Sequence, residues 1–249
     1  MITNETEYSP EGKSFHGSIP LVMGTRLEML VVGHPRDEVV QVWDWLCVEA
    51  SRLSAALNRF DPESELSKAN ASASGGRLSP RLKMLTDIAA SYKERTGGLF
   101  DVTKGGAGLD FGGFAKGYVL KELKDVLLQA GIGCAFVDFG GSSIMALGHH
   151  PFGDSWKVGV RNPFGSGVLW EVELKDQSMS TSGNTPGYTG HIVNPMTGER
   201  VTGRKVVTVV GEDPLDAEIL STASMLAGED AFGDLEAAFP GMRINRIIL

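Results

Sequence analysis

Two cysteines in 249 residues are too few for a disulfide framework. Cys47 and Cys134 each sit among apolar neighbours with no second thiol close in sequence. That pattern excludes a metal clip or redox pair and reads both as buried thiols. Basic surplus is also missing. Lys and Arg number 23 against 31 Asp and Glu, for a formal net charge of −8, so neither nucleic acid nor an anionic membrane surface is expected as the main partner. No apolar run reaches the roughly 18 residues of a transmembrane helix. Met1 to Ser14 is polar, with neither a basic stretch leading into an apolar run nor a lipid-attachment cysteine, which predicts no membrane anchor and a cytoplasmic location. Internal repeats and low-complexity linkers are absent, so residues 15–249 are expected to form one domain behind a polar lead at 1–14.

What is present is 42% hydrophobic residues, enough for one substantial core. Ser18 to Gly33 reads as two strands around Met23-Gly24-Thr25. From Asp37 to about Leu57, apolar residues recur every three or four positions and predict a long amphipathic helix. Asn58 to Leu66 breaks that period with turn formers and predicts an exposed loop. Ser79-Pro80 supplies an N-cap with proline at the first helical position, predicting a helix over 81–95 stopped by Gly97-Gly98. A third helix is expected over 118–130 and a fourth over 214–226. Strands are expected over 134–138, 143–147, 156–160, 169–174, 179–181 and 205–210, and Arg243 to Leu249 is placed at a sheet edge. Helices and strands mix without regular βαβ alternation, so the fold class is α+β, with sheets packed against several helices.

Three stretches carry candidate chemistry. Asp110-Phe111-Gly112-Gly113-Phe114-Ala115-Lys116-Gly117 is a glycine-rich turn entering a helix. Such a turn lets backbone N–H groups approach a phosphate while Lys116 adds a full charge; the alternative is a tight connection with a solvated lysine. Ser180-Thr181-Ser182-Gly183-Asn184 and His191-Ile192-Val193-Asn194-Pro195 suggest a pocket wall with one titratable group, His191 opening a short strand, or else a hairpin with a packed histidine. In Asp213 to Thr222, Glu218 and Thr222 stand one helical turn apart. These hard oxygen donors suit Mg²⁺, and the alternative is an acidic helix start stabilised by the helix dipole.

Taken in order along the chain, Met23-Gly24-Thr25, Asn58 to Asn70, Thr96-Gly97-Gly98-Leu99-Phe100-Asp101-Val102-Thr103, Asp110 to Gly117, Val137 to Gly148, Ser180 to Gly183, His191 to Gly198 and Val207 to Gly228 resemble the ApbE family of FAD:protein FMN transferases. The resemblance covers nearly everything from Phe15 onward. It implies an ApbE-like mixed fold, FAD as substrate, Mg²⁺ as cofactor, and an acceptor protein whose threonine receives FMN as AMP is released. It further implies that Met23, Phe60, Leu99, Phe100, Asp101, Asp110, Lys116 and Ile192 contact FAD. Gly113 (through its carbonyl), Glu218 and Thr222 match the metal site, and His191 matches the base for the incoming hydroxyl. Two features depart from the family pattern. Only Lys104 to Leu109 separate Thr103 from Asp110 where relatives carry a longer pocket segment, and Glu218 stands where the pattern has aspartate. With the same fold, a flavin-binding scaffold, or a pyrophosphatase using water in place of threonine, are the alternative functions.

Overall fold

The computed structural model describes residues 3–72, 78–106 and 108–249. Strands β1 (Glu5–Ser9), β2 (Ser14–Val22) and β3 (Thr25–Val32) open the chain as an antiparallel meander. The β2–β3 turn places Met23 and Gly24 at positive φ, 51° and 76°. Helix α1 (Arg36–Ala56) follows, then α2 (Glu65–Ala71), α3 (Pro80–Arg95), a single 3₁₀ turn at Lys104–Gly106, and α4 (Ala115–Gln129). Strands β4 (Ala135–Phe139), β5 (Ser143–Leu147), β6 (Trp156–Arg161), β7 (Val168–Leu174), β8 (Gln177–Gly183) and β9 (Lys205–Gly211) come next. Helices α5 (Pro214–Leu226) and α6 (Glu229–Ala238) and strand β10 (Arg243–Ile248) complete the order.

Eight strands form one antiparallel sheet in the order β1-β2-β3-β4-β5-β8-β9-β10, while β6 and β7 pair as a separate ribbon. Helices α1, α4 and α5 cover one face of the large sheet. The ribbon covers the other: Trp156, Val160, Val172 and Leu174 pack on Ile144, Ala146, Met179, Val206 and Val210. Every residue of β5 is therefore buried, since its two faces meet different layers. The α+β class with sheets against helices is what the structure shows. The 29th to 31st residues illustrate the register: Met29 and Val31 point into the helical core while Leu30, on the opposite face, packs with the ribbon cluster.

Most expected elements are present within a few residues, and the differences have local causes. Strand β2 begins at Ser14, because β1 pairs with it from Ser9↔Ser14 to Glu5↔Ser18. Short helix α2 occupies part of the stretch read as loop. Ser64 accepts a hydrogen bond from the Ser67 amide and caps it, but with only Leu66 buried it has no apolar period to betray it. Helix α6 likewise buries only Leu235 and contains Gly233. Cys47 and Cys134 are free thiols, half-buried rather than fully enclosed.

Candidate functional site

The site is assembled where the start of α4 lies against α5. Gly117 makes that approach possible. A β-carbon there would stand 2.6 Å from Cβ of Glu218 and 2.9 Å from the Pro214 carbonyl oxygen, so only glycine lets the helices close. Asp213 fixes the start of α5 by accepting from the amides of Leu215 and Asp216. Asp216 in turn accepts from the Tyr92 hydroxyl (2.6 Å) and from Arg95, locking α5 to α3.

At this junction Glu218 is buried, 5% exposed, and both its carboxylate oxygens are engaged. Oε2 accepts from the hydroxyls of Ser143 (2.5 Å) and Ser180 (2.9 Å), and Oε1 faces the Lys116 ammonium at 3.2 Å. Lys116 also donates to Ser142 and Ser143, at 2.7 and 2.6 Å. Ser221 bridges Ser180 and Ser182 at 3.1 and 2.8 Å. Thr222 Oγ1 lies one turn beyond Glu218 and donates to its carbonyl at 3.3 Å. The main chain of Gly113 sits beside this hydroxyl: a β-carbon on Gly113 would lie 3.2 Å from Thr222 Oγ1 and 3.6 Å from the Phe100 ring.

Lys116, Glu218, Thr222, Gly113 and Phe100 are thus brought together, although they come from separate stretches of the chain. Apart from the Lys116 ammonium, the polar groups at Glu218 are oxygens, one carboxylate with hydroxyls and main chain, and these fit the hard, sparsely charged set that Mg²⁺ accepts. Among the described residues, no group of three or more His, Cys, Asp or Glu stands ready for a metal. The Glu218 carboxylate is fixed in place by the hydroxyls of Ser143 and Ser180, both on Oε2.

A second wall is built from loops. Asp110 pairs with Arg59 and with Lys104 (2.7 Å) and accepts from the Gly112 amide. Burial alone would raise the Asp110 carboxyl, but these donors outweigh it and hold it below its ordinary range. Asp101 is treated alike: burial opposes its charge, and hydrogen bonds from Thr103, Lys93 and Gly105 overcome the penalty. The short 104–109 connection is pinned at its end by Asn70, whose amide group donates to the Leu109 carbonyl and accepts from its N–H. At its start, Gly105 has no room for a side chain, since a β-carbon would lie 2.7 Å from the Pro195 carbonyl oxygen. Gly98 faces Met196 at ordinary contact distance, a β-carbon there lying 3.4 Å from Met196 Sδ, so the loop after His191 packs on the Thr96–Thr103 stretch.

Leu99, Phe100 and Ile192 belong to the edge of the core, each less than a tenth exposed. Phe60 projects into solvent at 81% exposure with the Arg59 guanidinium 4.8 Å from its ring centre. Met23 donates its amide to Ser54 and packs at the rim of the core. His191 does not open a strand; it lies in an exposed loop between two isolated bridges, Thr185 with Tyr188 and Val193 with Arg200. Its ring stacks on Tyr188 (centroids 4.1 Å apart) rather than touching the Lys116–Glu218 cluster. Partial burial lowers its pKa, only partly offset by a hydrogen bond to the Tyr188 backbone, which favours the neutral imidazole. The polar groups around Glu218 that were not read from the sequence are Ser142, Ser143 and Ser221; as single serines in strands, a turn and a helix they carry no motif. Arg59, Lys104 and Tyr188 are the partners of Asp110 and His191 that were likewise missed.

The ApbE family model matches residues 23–108 and 103–242. An FAD:protein FMN transferase of Rhodobacter capsulatus is 31% identical over 147 residues, 56% of this chain and 28% of that protein. Another, of Treponema pallidum (strain Nichols), is 31% identical over 160 residues, 57% of this chain and 44% of that protein. The chain thus matches less than half the length of either relative. Among solved structures, the flavin transferase ApbE from Vibrio cholerae superposes with a TM-score of 0.78 at 21% identity, covering 98% of this chain and 94% of that one, which shows the shared fold. With the family model matching from residue 23 to residue 242, this chain belongs to the ApbE family.

Proposed function

We propose that this chain is a Mg²⁺-dependent FAD:protein FMN transferase that moves the FMN part of FAD onto a threonine of an acceptor protein and releases AMP. The observation that carries the reading is the meeting of Lys116, Glu218, Thr222 and Gly113 at the α4–α5 junction beside Phe100, together with membership of a family two of whose relatives are named FAD:protein FMN transferase. Lys116 supplies a cation for the pyrophosphate. Glu218, Thr222 and the Gly113 carbonyl would hold Mg²⁺, which when bound supplies further neutralisation of phosphate charge. Met23, Phe60, Leu99, Phe100, Asp101, Asp110 and Ile192 line the flavin side. Within that reading Arg59 and Lys104 hold Asp110 ionised and in place, and Lys93 does the same for Asp101.

His191, neutral at physiological pH because burial lowers its pKa, takes the proton of the threonine hydroxyl. The threonine oxygen attacks the FMN-side phosphorus, a P–O bond to threonine forms, and the pyrophosphate bond breaks with AMP as leaving group. His191→Ala is expected to lower transfer by about a hundredfold or more while leaving FAD binding intact, as loss of a general base does. The test incubates protein, FAD, Mg²⁺ and a threonine-bearing acceptor and follows AMP and an FMN adduct by mass spectrometry. Free FMN and AMP formed from FAD in the presence of an acceptor known to accept flavin, with no adduct, would instead indicate a pyrophosphatase.

A further inference from the structure

The engagement of Glu218 has a bearing on how the two cations of the site share it. Oε2 is held by Ser143 and Ser180, which leaves Oε1 as the carboxylate edge turned toward the site, and Lys116 Nζ stands 3.2 Å from it. The ammonium is seated there rather than free, because Ser142 and Ser143 receive two of its hydrogens, at 2.7 and 2.6 Å. Its side chain is 19% exposed and that of Glu218 6%, so the pair is shielded and neither charge would be left alone without cost. A divalent ion bound by Glu218 and a lysine resting on the same oxygen are mutually exclusive neighbours at close range, since like charges repel strongly in a shielded site.

Resting on the metal assignment above, we propose that Lys116 is the resident counter-charge of Glu218 and exchanges partners during loading. In the ligand-free protein Lys116 occupies Oε1. When a divalent cation takes that oxygen, Lys116 leaves it and turns to the pyrophosphate of the dinucleotide. Lys116 is then a positioning residue for the metal as well as a binding group for substrate. The exchange makes metal and pyrophosphate binding mutually supportive: pyrophosphate draws the lysine away and uncovers the carboxylate, and metal frees the lysine for phosphate.

The test is Mn²⁺ binding to the nucleotide-free protein, followed by electron paramagnetic resonance of the free ion. If Lys116 covers Oε1 about nine-tenths of the time, Lys116→Gln should tighten Mn²⁺ by about tenfold. Ser142→Ala, which keeps the charge and loosens its seat, should tighten Mn²⁺ by a smaller factor. Lys121→Gln removes an equal charge from α4 at a lysine paired with Asp213 instead, and should leave Mn²⁺ affinity unchanged. Glu218→Gln should abolish binding. Equal tightening by Lys121→Gln and Lys116→Gln would overturn the exchange in favour of general charge repulsion. Unchanged or weaker binding in Lys116→Gln, with binding lost in Glu218→Gln, would overturn the exchange and leave the metal site standing. Wild-type binding in Glu218→Gln would overturn the metal assignment and the exchange with it. Should Lys116→Gln fail to fold, Ser142→Ala decides by itself, tighter binding supporting the exchange and unchanged binding overturning it.

Discussion

The protonation states of single residues follow from what surrounds them. Burial, with Asp44 close by, pushes the Cys47 thiol up to about 11. At pH 8 only on the order of a thousandth of it is thiolate, so alkylation by iodoacetamide, followed by mass spectrometry, should be far slower than for a free thiol of ordinary pKa. His191 moves in the opposite sense. Its pKa lies below the usual 6.5 because burial disfavours the imidazolium. The acid limb of a kcat/KM profile for flavin transfer should therefore have its midpoint below 6.5, with activity present above it and lost as pH falls through it. His191 was legible because it stands in a motif. Its stacking partner Tyr188 was not, because Tyr188 is presented by a tight turn from Thr185 to Tyr188 that is closed by mutual hydrogen bonds between those two residues.

At the scale of elements, caps and periods announced themselves in the sequence and short helices did not. Helix α3 begins at Pro80 with Ser79 accepting from the Leu82 amide, as its Ser-Pro pair predicts. Helix α5 runs from Pro214 to Leu226 with Asp213 as its cap. What no local signal shows is that α4 and α5 touch through Gly117. Gly117→Ala should force the helices apart and destabilise the protein by about 1–3 kcal/mol, measurable by urea unfolding, with loss of metal-dependent FAD binding because Lys116 and Glu218 separate. A variant as stable as wild type would mean that the junction can widen without cost.

For the whole molecule, charge and layering decide stability. Asp101 and Asp110 both have folded pKa values below 3.8, their ordinary value, because their hydrogen-bond donors outweigh burial. Their stabilising contribution is fully present above that unfolded value and is lost as pH falls through the lowered folded values. Urea midpoints measured at pH 5 and pH 3 should drop in the wild type, and Asp110→Asn should shrink the drop, since the variant has no proton to bind there. The other strands of the eight-stranded sheet were legible as strands but not as a sheet, and β1, inside the polar stretch 1–14, was not legible at all. Strand β5 shows no alternation because the β6–β7 ribbon covers the face that α4 and α5 leave open, and only the fold brings a ribbon there.

Periodicity, turn chemistry and caps are local properties, so the sequence by itself determined the helices α1, α3, α4 and α5, most strands, the α+β class and the ordered motifs that hold Lys116, His191, Glu218 and Thr222. Strand order, the closing of α4 on α5 and the partners of each charge depend on contacts between residues far apart in the chain. Glu218 meets Ser143 across 75 positions and Asp110 meets Arg59 across 51. Such pairs are fixed by packing around a shared core rather than by spacing, which is why the tertiary structure alone decided that Lys116 rests on Glu218.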